Sequence, residues 1–68
     1  MKVVVNNQEK IIIEKANLID LLLSLSLPSL EFGVAVALNG NIIDKSKWQD
    51  TELKEKDSIE VVRAFQGG

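Results

Sequence analysis

An α+β fold, with a mixed sheet of four to five strands and one main helix packed across it, is the class this sequence predicts. Three observations carry that prediction. Short β-branched runs are punctuated by Asn6-Asn7 and Asn39-Gly40, one leucine stripe recurs with a helical period, and a final β-branched run lies close to the last residues. At 68 residues, with 46% hydrophobic and 26% charged residues, the sequence has an ordinary globular composition and room for one thin core. It contains no cysteine, so stability has to come from aliphatic packing rather than from disulfides or thiolate zinc.

Residues 2–6 read as the first strand, Asn6-Asn7 as turn residues, and residues 10–14 as the hairpin partner, because Ile11, Ile12 and Ile13 are all β-branched. Asn17 is a good helix N-cap, and Asp20 falls in the first turn, where the helix dipole favours an anion. Leu18, Leu21, Leu22 and Leu25 then follow the i, i+3, i+4, i+7 spacing of a buried helix face. Pro28 is expected to end that helix. Residues 34–38 form a third strand, Asn39-Gly40 a tight turn, and residues 41–43 a short fourth strand. Ser46 is expected to cap a helical turn carrying Trp48, ahead of a charged loop over 49–57 and a closing strand over 58–65.

One helix can cover only one face of one sheet. Placing the last strand between the first and third closes a mixed sheet, which is a β-grasp arrangement. Period-two alternation then turns Val3, Val5, Ile59 and Val61 toward the helix and Val4, Glu60 and Val62 away from it. This reading divides the chain into a domain over 1–65 and a flexible C-terminal tail over 66–68.

The net charge of −2, with eight scattered Lys and Arg residues, argues against a nucleic-acid surface. No apolar run approaches the ~20 residues that span a membrane, and Val3 to Val5 is too short for a signal-peptide core, so a cytoplasmic location is expected. With no His, Cys or Tyr, the usual general bases, thiol nucleophiles and soft metal ligands are missing. So short a chain also has little room for a water-excluding pocket of ~300 Å³. The expectation is therefore not an enzyme, with no bound cofactor and no metal.

Attention then moves to Gly67-Gly68. At a background glycine usage of about 7%, two terminal glycines arise by chance in about 0.5% of chains. A cloning remnant or a plain disordered end would produce the same pair, and the residues alone leave these open. The functional reading has a physical basis: residues without Cβ atoms can thread a narrow channel in a partner enzyme. Four extended residues, 65–68, reach roughly 13 Å, enough to carry a terminal carboxylate into a deep site. Activated as an acyl-adenylate, that carboxylate would accept a nucleophile such as a persulfide sulfur or an amine.

Val34-Ala35-Val36-Ala37-Leu38-Asn39-Gly40, Ile42-Ile43, Trp48, Leu53, Asp57-Ser58-Ile59-Glu60-Val61 and Gly67-Gly68 together resemble the ThiS family, the sulfur carriers of thiamin biosynthesis. The resemblance implies a ubiquitin-like β-grasp fold. It also implies that an E1-like adenylyltransferase (ThiF-like) uses ATP to adenylate Gly68, that the carboxylate becomes a thiocarboxylate, and that a thiazole synthase (ThiG-like) takes the sulfur. Lys56 departs from the family, which usually has Gly before Asp57; that places the turn geometry there in question. The small subunit of molybdopterin synthase, or a protein modifier joined to lysines, would use the same terminus.

The remaining residues divide between structure and partner binding. Trp48 reads as a lid over an open edge of the core. Glu52, Glu55, Asp57 and Glu60 read as solvated surface, and Asn39-Gly40 as turn chemistry alone. Arg63 and Phe65 are expected to be at least partly exposed. Val4, Val62, Ala64 and Phe65 are the candidates for partner docking, with Gln66 and Gly67 in the tail leading to Gly68.

Overall fold

The structure is a computed structural model that describes residues 1–25 and 33–63, with Arg63 described in its backbone only. The expected helix terminator Pro28 and the candidate residues Ala64, Phe65, Gln66, Gly67 and Gly68 lie outside that range. The elements are β1 (Lys2–Val5), β2 (Gln8–Ile11), α1 (Leu18–Ser24), β3 (Val34–Leu38), β4 (Asn41–Ile43), a 3₁₀ turn (Lys45–Lys47) and β5 (Ser58–Arg63). The sheet order is β2-β1-β5-β3-β4, with β1 and β5 parallel and every other neighbour antiparallel. This is the predicted β-grasp order, with the last strand inserted between the first and third.

The first hairpin corrects the predicted strand limits of 2–6 and 10–14. Asn6 and Asn7 both hold positive φ, at 49° and 69°, as a two-residue type I′ turn requires. Val5 is therefore forced opposite Gln8, and Lys2 opposite Ile11. The second strand begins at Gln8 and ends at Ile11, so turn geometry rather than the isoleucine run sets its limits.

Asn17 caps α1 as expected, and the capping is reciprocal. Its Oδ1 accepts from the Asp20 amide at 2.8 Å, while the Asp20 carboxylate accepts from the Asn17 amide at 3.0 Å. The helix is capped at its far end by Leu25, ahead of Pro28. Leu18, Leu21 and Leu22 are buried against Val3, Val5, Val36 and Ile59 of the sheet, and Val61 packs at the margin of the same core. Fully burying each such side chain is worth about 1.5–3 kcal/mol.

Trp48 belongs to that core rather than to its rim. The indole is 1% exposed, and its Nε1 donates to the Ile43 carbonyl at 2.9 Å, so the ring fills the space under the end of β4 without leaving its own N–H unpaired. The turn that delivers it starts at Asp44, whose side chain makes no capping bond, so Ser46 sits inside the turn rather than at its cap.

The charged loop does structural work. The Leu18 amide donates to the Thr51 carbonyl at 3.1 Å, the Leu53 amide to Ala16 at 2.8 Å, and Asn17 Nδ2 to the Gln49 carbonyl at 3.1 Å. These bonds tie the start of α1 to the loop and seat Leu53 in the core. Two of the acidic residues read as solvated surface also make hydrogen bonds there, Glu55 from an exposed position and Asp57 from a half-buried one. Glu55 accepts from the Lys2 amide at 3.0 Å, and Asp57 accepts from the Lys54 amide at 2.8 Å and from Asn39 Nδ2 at 3.1 Å. Lys56, expected to put the turn geometry in question, adopts the left-handed conformation itself with φ 71°, and its amide donates to the Lys2 carbonyl at 2.7 Å.

Candidate functional site

The face of the sheet turned away from α1 carries the only two partner-docking candidates that fall within the described residues, Val4 and Val62. Its geometry follows from the Asn39-Gly40 turn. With φ at 49° and 88°, this pair closes β3 on β4 so that Leu38 faces Asn41 and Ala37 faces Ile42. In the other direction, Ala35 pairs with Val62 and Ala37 with Glu60. Since Val36, Ile59 and Val61 point toward the helix, alternation places Ala35, Ala37, Ile42, Glu60 and Val62 together on the opposite face.

The side chains at these positions shape the surface. Short alanines form a floor, Gly40 adds no side chain, and Ile42 and Val62 rise on either side, 73% and 60% exposed. The result is an open depression of 290 Å³ lined by Ala35, Ala37, Gly40, Ile42, Glu60 and Val62. Glu60 is its one charged lining residue, so the patch is apolar with a negative margin. Exposed aliphatic groups are gathered here on a domain whose other valines are mostly covered. Val4 shares the face but is half-buried opposite Ser58 and does not line the depression.

The sequence reading named Val62 and missed Ala35, Ala37, Gly40 and Ile42. The signal was present: once Asn39-Gly40 is taken as a two-residue turn, the pairing of Ala37 with Ile42 follows by counting.

Asparagine side chains fasten both flanks of β5. Asn6 Oδ1 accepts from the Val61 amide at 2.8 Å, and its Nδ2 donates to the Val61 carbonyl at 3.1 Å, so the amide continues the ladder where β1 has already turned away. Asn39 Oδ1 accepts from the Ser58 amide at 2.9 Å while its Nδ2 reaches Asp57, so this residue joins the hairpin to the start of β5 as well as forming the turn. Between them, these bonds hold the strand that leads to the chain's last residues. Among the described residues, no group of three or more His, Cys, Asp or Glu side chains could hold a metal ion, and no helix is long and apolar enough to cross a membrane.

Comparison with known proteins extends this picture. The sequence model of the ThiS family matches residues 3–68. A crystal structure of a thiamine biosynthesis protein (ThiS) from Geobacter metallireducens superposes with a TM-score of 0.85 at 28% identity, covering 100% of both chains. A solution NMR structure of a thiamine biosynthesis protein from the same organism gives a TM-score of 0.80 at 30% identity, covering 100% of this chain and 87% of the other. No curated protein matches the sequence.

Proposed function

The chain belongs to the ThiS family, and on that premise we propose that it is a sulfur carrier of thiamin biosynthesis whose reactive group is the carboxylate of Gly68. The carrying observation is that the family match continues through Gly67-Gly68, on a β-grasp domain that matches ThiS structures over its whole length.

In this reading the domain is a handle and its partners supply the catalysis. An E1-like adenylyltransferase binds ATP, and the Gly68 carboxylate oxygen attacks the α-phosphorus. A P–O bond forms, and the bond to pyrophosphate breaks. A persulfide sulfur on a partner then attacks the acyl carbon, AMP leaves with the electron pair of the C–O bond, and reductive cleavage of the S–S bond by a thiol leaves the thiocarboxylate. A thiazole synthase takes that sulfur. The depression around Val62 and Ile42 is the surface on which the activating enzyme docks, and the Glu60 carboxylate favours a basic residue opposite it.

Intact-mass analysis tests this directly. Incubation with ATP, a sulfur donor and the activating enzyme should replace one oxygen by one sulfur, with the change located on the C-terminal fragment. A mass change on an internal fragment would overturn the assignment. Transfer of the activated terminus to a lysine amine, or of its sulfur to a molybdopterin precursor in place of a thiazole precursor, would identify a carrier of another class.

A further inference from the structure

A second exposed apolar surface lies at the other end of the sheet and plays no part in the proposed carrier chemistry. Strand β2 is an edge strand, and its backbone polarity can be read from its pairing. The Ile12 amide donates to the Met1 carbonyl at 2.9 Å and the Met1 ammonium donates back to the Ile12 carbonyl at 2.6 Å. In an antiparallel ladder such exchanging pairs alternate, so Val3/Lys10 and Val5/Gln8 are also hydrogen-bonded pairs, and Lys2/Ile11 and Val4/Glu9 are not. The N–H and C=O groups of Glu9 and Ile11 therefore point away from β1 into the open edge, and among the described residues nothing accepts or donates to them there.

Large apolar side chains flank this open edge. Ile11 is 71% exposed, Ile13 73% and Leu23 of α1 63%. Behind the edge, between β2 and α1, runs a groove of 620 Å³ lined by Ile12, Ile13, Ala16, Leu21 and Leu23. Lys10 on one side of it and Asp20 on the other supply one cation and one anion. Unpaired edges are usually kept short or blunted by charged side chains, proline, a bulge or a covering loop; β2 is short and carries Glu9 and Lys10, but among the described residues it has no proline, bulge or cover, and isoleucines run on from it.

We propose that the edge formed by residues 9–13, the end of β2 and the two residues that follow it, pairs antiparallel with the same edge of a second copy, joining the two five-stranded sheets edge to edge. The hydrogen-bond pattern specifies an extended strand as the occupant, and the groove charges specify a second copy, because a surface offering Lys10 and Asp20 is complementary to itself under two-fold rotation. Like charges select the register. Centring the axis on Lys10 would set two ammonium groups directly opposite each other, which is destabilising. Centring it on Ile11 pairs Ile11 with its own counterpart, Glu9 with Ile13 of the second copy, and Lys10 with Ile12 of the second copy, leaving each Lys10 free to reach toward the other groove's Asp20. An interface this small is weak, with a dissociation constant on the order of 10⁻⁴ M.

Sedimentation equilibrium of the full chain over a concentration series, with amide hydrogen exchange on the same samples, tests the proposal. Self-association should protect the Glu9 and Ile11 amides as concentration rises, while the Lys10 amide, already bonded to Val3, should not change. Ile11→Lys and Ile13→Lys alter exposed positions and should raise the dissociation constant about tenfold or more with the fold intact by circular dichroism. Lys10→Glu should weaken the dimer further at low salt. A chain that stays monomeric to about 1 mM, a dimer that Ile11→Lys leaves unchanged, or protection that falls on Val62 in place of Glu9 and Ile11 would each overturn it.

Discussion

Asn6→Gly isolates the side-chain clamp on β5. Asn6 holds φ at 49°, and glycine adopts that conformation without strain, so the substitution keeps the turn while deleting the amide. Two hydrogen bonds disappear, one to the Val61 amide at 2.8 Å and one to its carbonyl at 3.1 Å. Both sit at an exposed site where water replaces the lost partner, so each is worth the net value of about 0.5–1.5 kcal/mol rather than a full desolvation penalty. The expected loss is about 1–3 kcal/mol, or roughly 5–20 °C in thermal midpoint for a domain of this size. Asn6→Ala should cost about 1 kcal/mol more, because a Cβ at positive φ is penalised. Urea unfolding followed by Trp48 fluorescence gives the free energies, and hydrogen exchange at the Val61 amide should accelerate in both variants. If Asn6→Gly matched the parent within about 0.3 kcal/mol, the clamp would carry no load. If Gly and Ala were equal, the turn conformation would be wrong.

Four further outcomes are expected. Lys56→Gly should stabilise the fold by about 0.5 kcal/mol, since relief of about 1–2 kcal/mol of left-handed strain outweighs the added entropy of the unfolded chain; a drop in thermal midpoint would show that Lys56 contributes more than its backbone. Trp48→Phe should cost about 1–3 kcal/mol in denaturant unfolding by leaving the Ile43 carbonyl without its donor. Val62→Glu should slow adenylation by the activating enzyme while unfolding stays within about 0.5 kcal/mol of the parent; unchanged kinetics would move the docking surface elsewhere. Gly67→Ala should also slow adenylation, because one added Cβ obstructs a narrow channel, and activation at the parental rate would mean that the terminus is not threaded.

Local chemistry was legible in the sequence wherever a few adjacent residues decide the outcome. Asn17 with Asp20 fixes the start of α1, Asn39-Gly40 forces the second hairpin, and the leucine spacing names the buried helix face, because propensity and period act within one turn of the chain. Even the strand order followed, since one helix and one sheet admit few ways to bury both faces. The candidate tail and the ThiS likeness rest on residue identity alone, and Val62 was found by alternation. Tertiary structure decided what depends on registers and on groups distant in sequence. The hydrophobic run at Ile11 to Ile13 suggested a strand there, but a two-residue turn set the pairing and left two of those isoleucines on an open edge. Trp48 entered the core because the space under β4 exists only once the loop has folded back. Asn6 meets Val61 across 55 residues, Asn39 meets Asp57 across 18, and Lys2 meets Glu55 across 53. No periodicity reports such contacts, because the chain brings those groups together only after the sheet has closed around β5.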